Sequence, residues 1–456
     1  MERLSSVTST GRSVLSHWGF ARAHSKLLHR KLSIGGGARS GAAQSSAGGL
    51  SILAFVGVLP SLSKKRERGR RKLGRCSGGG LSTTWVSGIR DIADQYDAFI
   101  LDLWGVVHNG AVAFPWAKET LMELKRLRKP VLFLSNSSRR RETNSAALEK
   151  LGVGPDLYVD LITSGEVSWR ILAGACDVMD HITTIKEAKN ILTFGNGSDD
   201  VEYMRALKEK NVAADAAEAD LLLARGCFSL YGPEVKQASW EDLPVPLRSS
   251  RPTTDHVIQV VPVYIDHVED FDAQLRLAAA GRVPMLVANP DVVRPDGNDS
   301  PMPGRLAQRY RELGGPDPTF VGKPYAEVFQ LALERLQEAG VPATARVCMV
   351  GDSVRHDVRG ACAAGLDVVL LCSGVHSEAL GLEQAPAPPR RPSEESLRGF
   401  LGALPPEETP TYVTAALAWG EVEDGRVSEE SEVAVCGLAC VDIAQEVEAF
   451  PAADAK

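Results

Sequence analysis

Residues 97–110, DAFILDLWGVVHNG, constrain the fold more than any other stretch of the chain. An apolar run over 98–103 carries one acid, Asp102, and then passes into Trp104, Gly105 and polar residues. Such a run reads as a strand buried on both faces, ending where a loop begins. In open α/β sheets, ligands bind just beyond the carboxyl ends of the strands. A carboxylate held there is placed to coordinate a cation or to attack an electrophile.

The following residues repeat the theme. Residues 116–128 space their leucines as an amphipathic helix does. The run 131–134 is a second buried strand ending in Ser135-Asn136-Ser137-Ser138, and 143–151 is helical up to Gly152. Strand, helix, strand, helix implies a parallel sheet. The pattern loosens over 175–283: strands are expected at 191–194, 220–224 and 257–265, a helix at 199–210, and a Pro-containing loop over 234–256. Residues 284–288 read as a strand returning to the first sheet, followed by Asn289-Pro290-Asp291. Next come a helix over 303–313, the tetrapeptide VGKP at 321–324, a helix over 325–339, a strand over 346–350 and GDSVRHD at 351–357. A last strand is expected at 368–371, and a helix and an edge piece over 396–419.

These strand ends bring a chemical set to one crevice: Asp102, Ser135, Lys323, and Asp352 with Asp357. Carboxylates supply the hard oxygen ligands that Mg²⁺ takes. A hydroxyl and an ammonium neutralise phosphate oxygens. Phosphoryl transfer needs mainly positioning and charge neutralisation.

With these motifs in this order, the chain resembles the class IIA members of the haloacid dehalogenase (HAD) superfamily, in a subgroup with DxWG in its first motif. The resemblance covers about 96–376. It implies a three-layer, Rossmann-like parallel-sheet core with an α/β C2-type cap inserted between the second and third motifs. It also implies a Mg²⁺-dependent hydrolase, phosphatase-like, that acts on a small phosphorylated metabolite through an aspartyl-phosphate. The roles implied are Asp102 as nucleophile and metal ligand, the Trp104 backbone carbonyl and Asp352 as further ligands, and Asp357 as orienter of metal-bound water or of Lys323. Ser135 and Lys323 would hold phosphate oxygens, and Asn136 would touch phosphate or substrate. The cap would close over the leaving group.

One position departs from the family. Its phosphatases usually carry a second acid two residues after the nucleophile, and here stands Trp104, whose indole N–H does not titrate usefully. General acid–base help is worth about 10²–10⁴ in rate. Three readings follow: a slower phosphatase with His108 as substitute proton donor or substrate contact, a substrate whose leaving group needs no acid (an acyl phosphate or phosphoanhydride), or a catalytically weak phosphate-binding regulatory protein.

The ends differ in charge. Residues 1–63 hold one acid, Glu2, against seven Lys or Arg, and 420–456 hold ten acids against Arg426 and Lys456. The Ser-, Ala- and Gly-rich leader suits an organellar transit peptide, leaning to plastid over mitochondrion, with a disordered basic tail as the alternative. The apolar run 50–60 is about half the roughly 20 residues a spanning helix needs, so a soluble protein is expected. The net charge of −7 gives nucleic-acid binding no support. The eight cysteines form no CxxC pair, and Cys436 and Cys440 lack companions for a zinc site. The expected organisation is a transit peptide and basic linker over 1–85, core over 86–174, cap over 175–283, core again over 284–383, and a Pro-rich linker with an acidic extension over 384–456. Oligomeric state leaves no mark in the sequence.

Overall fold

The computed structural model describes residues 83–176, 179, 182–196, 199–227, 229–231, 258–260, 267–292, 294, 301–383 and 389–421, all within the unit Gly69–Lys456. The transit peptide, the basic run 64–75, nearly all of the acidic extension and the loop 234–256 lie outside the described residues.

The first part of the chain gives β1 (Thr84–Trp85), β2 (Ala98–Leu101), α1 (Pro115–Arg126), β3 (Val131–Ser135), α2 (Arg141–Lys150), β4 (Asp160–Thr163) and α3 (Ser164–Leu172). A second sheet is then laid down by α4 (Thr183–Glu187), β5 (Asn190–Gly195), α5 (Asp200–Arg205), β6 (Asn211–Val212), β7 (Leu221–Ala224), β8 (Ser229–Tyr231), β9 (Ile258–Val260), α6 (Asp272–Gly281), β10 (Met285–Val287), α7 (Pro303–Glu312) and β11 (Thr319–Phe320). The chain ends with α8 (Ala326–Glu338), β12 (Val347–Gly351), α9 (Arg359–Ala363), β13 (Asp367–Leu371), α10 (Glu394–Gly402) and β14 (Tyr412–Thr414).

The first sheet is parallel throughout, in the order β1-β14-β13-β12-β2-β3-β4. Its central strands alternate between two apolar layers. Ala98, Ile100, Leu132, Leu134 and Met349 face one layer with α3 and α8, while Phe99, Leu101, Val131, Phe133 and Val350 face the other with α1. That is why these segments read as unbroken apolar runs. Helix starts are locally encoded. Pro115 opens α1, and the Thr163 hydroxyl accepts the Glu166 N–H at 3.0 Å to cap α3. From β2 the chain moves outward through β3 and β4, whereas β12, β13 and β14 run the other way. The switch therefore falls between β12 and β2, where an open sheet forms its crevice.

Two expectations need correction. The strand at 285–287 does not return to the first sheet. It pairs in parallel with β7 and β11 in the second, whose order is β11-β10-β7-β5-β8-β9 with β6 beside β5. The second sheet thus takes in chain up to Phe320, rather than ending at 283. The piece near the C-terminus is not an edge either, because β14 lies between β13 and β1 and supplies an interior strand of the first sheet. Among the described residues no helix is long and apolar enough to cross a membrane.

Candidate active site

The adjacency β12-β2-β3 brings three carboxyl ends side by side. Asp102 follows β2, Asp352 follows β12 and Ser135 closes β3. Lys323, buried in the turn between β11 and α8, enters this group from outside the sheet. Its ammonium lies 2.6 Å from Asp102 Oδ1 and 2.7 Å from Asp357 Oδ1. One carboxylate oxygen from each of Asp102, Asp352 and Asp357 lies within 4.8 Å of the others. Residues 102 and 357, some 250 apart in sequence, thus meet on a single lysine.

The backbone around the acids is close. Asp352 Oδ2 accepts the Val375 N–H at 3.0 Å, and Asp357 Oδ2 accepts the Ser353 N–H at 3.0 Å. Gly105, immediately after Trp104, has φ of +79°, and a Cβ there would stand 2.1 Å from Asp352 Oδ2. Only glycine takes that backbone and that approach without strain. Gly105 is therefore pressed against Asp352.

Electrostatics follow from burial. Asp102 is pushed up to about 7, chiefly by burial and further by Asp357, with Lys323 pulling it back. Asp352 is raised well above the carboxylate range by burial, then by Asp102 and Asp357. Burial alone depresses Lys323, but the two carboxylates it touches outweigh that and raise it. Three acids share one ammonium, so the cluster carries excess negative charge when ionised. An all-oxygen donor set of this kind fits a hard divalent cation.

The remaining residues singled out from the sequence fall into place around this centre. Ser135 Oγ accepts the Ser137 N–H at 3.2 Å, which folds the turn 135–138. Asn136 is buried and engaged with protein. Its Oδ1 accepts the Lys323 N–H at 2.8 Å, and its Nδ2 donates to Lys323 O at 3.2 Å and Asp291 Oδ1 at 2.9 Å. It braces Lys323, where the sequence suggested a contact to phosphate or substrate. His108 packs edge-on to Trp104, with ring centroids 5.7 Å apart, and its Nδ1 accepts the Gly110 N–H at 2.9 Å. The Arg294 guanidinium stands 6.0 Å above the Trp104 ring. Two further residues carry weight here without a role expected from the sequence: Asp291, whose only signal is its place in Asn-Pro-Asp and which also lies 3.4 Å from His356 Nδ1, and Arg225, which is wholly buried beside the turn 135–138.

Comparison with known proteins bears on the same segments. Residues 99–214 match the family model described as haloacid dehalogenase-like hydrolase, and 320–394 match the one described as HAD-hydrolase-like. The chain is similar to chronophin of Mus musculus, 27% identical over 305 residues, which is 66% of this chain and 87% of that protein. It is also similar to 4-nitrophenylphosphatase of Schizosaccharomyces pombe, 22% identical over 312 residues, 66% of this chain and 92% of that one. Its fold is like that of a haloacid dehalogenase-like hydrolase from Brucella suis 1330: TM-score 0.50, 23% identity, 73% of this chain and 99% of that one.

Proposed function

The chain belongs to the haloacid dehalogenase superfamily of hydrolases, class IIA, and we propose that it is a Mg²⁺-dependent phosphatase of a small phosphorylated metabolite with Asp102 as its nucleophile. The observation that carries this reading is the Lys323 ammonium held between Asp102 and Asp357, with Asp352 in the same cluster. In this reading Asp102, Asp352, Asp357 and the Trp104 carbonyl hold Mg²⁺, which when bound offsets the charge of the acids and of the phosphoryl oxygens. Ser135 Oγ and Lys323 Nζ take phosphoryl oxygens, and Asn136 keeps Lys323 in place. A carboxylate oxygen of Asp102 forms a bond to phosphorus as the bond from phosphorus to the leaving oxygen breaks, and the electron pair departs with that oxygen. Water then attacks phosphorus of the aspartyl-phosphate, forming a new P–O bond as the bond to the Asp102 oxygen breaks; the carboxylate leaves with that electron pair, the proton of the water passes to solvent, and inorganic phosphate is released. Trp104 supplies no proton to the leaving oxygen, so turnover is fastest where that oxygen departs as a stable anion.

The second sheet acts as the cap over the leaving group, fed by chain from about 175 to 320. The leader is an organellar address, tested by imaging the full chain tagged at its C-terminus. The site is tested with the full chain and a panel of phosphorylated metabolites, acyl phosphates and 4-nitrophenyl phosphate. Phosphate release that requires Mg²⁺ and vanishes in Asp102→Asn is expected. Equal release by Asp102→Asn, or release indifferent to chelation of divalent cations, overturns it.

A further inference from the structure

Arg225 follows β7 of the second sheet and has no exposed surface. Burying a guanidinium is costly unless its charge is matched. Asp199 and Asp200, at the start of α5, match it: Arg225 Nη2 lies 2.8 Å from Asp199 Oδ2, and Nη1 contacts Asp200 Oδ1. The guanidinium also lies over the Tyr203 ring at 3.8 Å. Those partners all come from the second sheet's own elements, and they satisfy the charge. Yet Nη2 also donates to Ser138 O at 3.2 Å, in the turn that follows β3 of the first sheet.

Ser138 is gripped a second time from the same side. Asn196, just past β5, donates from Nδ2 to Ser138 Oγ at 2.8 Å. A third link lies beside it, where the Tyr203 hydroxyl donates to Gly165 O at 3.0 Å. At Gly165 a Cβ would stand 2.0 Å from Ser138 O, so the two backbones touch and the turn has no room to shift that way. Inside the turn, Ser137 N–H holds Ser135 Oγ, and the Asn136 amide holds the Lys323 backbone. A displacement at Ser138 is therefore felt at Ser135, three residues away, and through Asn136 at Lys323.

We propose that Arg225 and Asn196 are positioning residues of the phosphate seat: together they grip Ser138 and fix the turn that presents Ser135 and braces Lys323. The proposal rests on the phosphatase reading above. It makes the second sheet part of the phosphate-binding apparatus at this corner, in addition to covering the leaving group.

The test uses the full chain with Mg²⁺ and the variants Arg225→Lys, Asn196→Ala, Ser138→Ala and the double variant Asn196→Ala/Ser138→Ala. Calorimetry gives the dissociation constant for inorganic phosphate, 4-nitrophenyl phosphate gives KM and kcat, and thermal unfolding gives the response to Mg²⁺. Losing one hydrogen bond at the turn is expected to weaken phosphate binding and raise KM about 5- to 10-fold. The Mg²⁺ response should stay at the wild-type value, which a general loss of structure would not leave intact. The double variant should be no weaker than Ser138→Ala alone, because both remove the same contact. If Arg225→Lys does not fold, the Asn196 and Ser138 variants carry the test. Phosphate affinity and KM within twofold of wild type in the folded variants overturn the proposal, as does a Mg²⁺ response that falls in step with them. If the wild type itself neither binds phosphate nor turns over any substrate, the phosphatase reading fails and this proposal falls with it. A sound wild type with indifferent variants sinks this proposal alone.

Discussion

Adding Mg²⁺ should stabilise the protein more at pH 8 than at pH 6, and the size of the difference can be worked from Asp102. Its carboxyl is pushed up to about 7 in the metal-free site, against about 3.9 in an unfolded chain. The folded state therefore holds a proton that the unfolded state has released. Between those two values stability falls as pH rises, the reverse of an ordinary salt-bridged aspartate, and it levels off above pH 7. A cation bound to the carboxylate must displace that proton. At pH 6 the group is about 90% protonated and at pH 8 about 10%, so apparent affinity for Mg²⁺ is about tenfold weaker at the lower pH, or about 1.4 kcal/mol. Asp352 is raised too, by burial and by Asp102 and Asp357, and widens the gap. For scale, a ligand at 100 times its Kd stabilises by about 2.7 kcal/mol. Calorimetric unfolding of the full chain with and without MgCl₂ at pH 6, 7 and 8 reads the effect, and Asp102→Asn should reduce it to the part that Asp352 contributes. A Mg²⁺-induced rise in Tm that is equal at the two pH values, or larger at pH 6, would refute the reasoning.

Three further substitutions probe the cluster. Lys323→Met removes the only cation in contact with Asp102 and Asp357 among the described residues; it should cost about 3–5 kcal/mol in denaturant unfolding and abolish phosphate binding by calorimetry. Gly105→Ala puts a side chain at φ of +79° and against Asp352 Oδ2. The backbone cost alone is about 1–2 kcal/mol, and the Mg²⁺-induced rise in Tm should disappear with the displaced carboxylate. Trp104→Asp supplies a titratable acid two residues after Asp102, the proposed nucleophile. It should raise kcat on alkyl phosphates, by up to the roughly 10²-fold at the low end of general acid catalysis, while leaving acyl phosphates little changed. A plot of rate against leaving-group pKa should flatten accordingly.

Part of the candidate site was legible in the sequence because three of its residues sit at ends of strands that can be read one at a time. Asp102, Ser135 and Asp352 each close an apolar run, and a parallel sheet puts such ends on one edge by construction. The sheet to which a run belongs is not written in the run. Met285–Val287 is as apolar as β2 or β12, and a strand buried on both faces looks the same in either sheet. Only its pairing with β7 and β11 assigns it. Pattern also failed at β14, because Tyr412–Thr414 is three residues long and its neighbour β1 lies more than 300 residues earlier.

Arg225 marks the deeper limit. Its sequence context is an apolar strand followed by a lone arginine, and the Asp199-Asp200 pair that neutralises it reads as part of a turn. Nothing local distinguishes it from a surface residue, the usual fate of arginine. Its burial follows from the ends of β5 and β7 and the start of α5 meeting beside Ser138 and Gly165 of the other sheet's elements. The acids and Lys323 stand in short stretches, DLWG, VGKP and GDSVRHD, that can each be read locally. Arg225 and Asn196 answer only to how this second sheet sits against this turn. A residue of that kind is visible once the two sheets are in place, and its effect should appear in phosphate affinity before it appears in the response to metal.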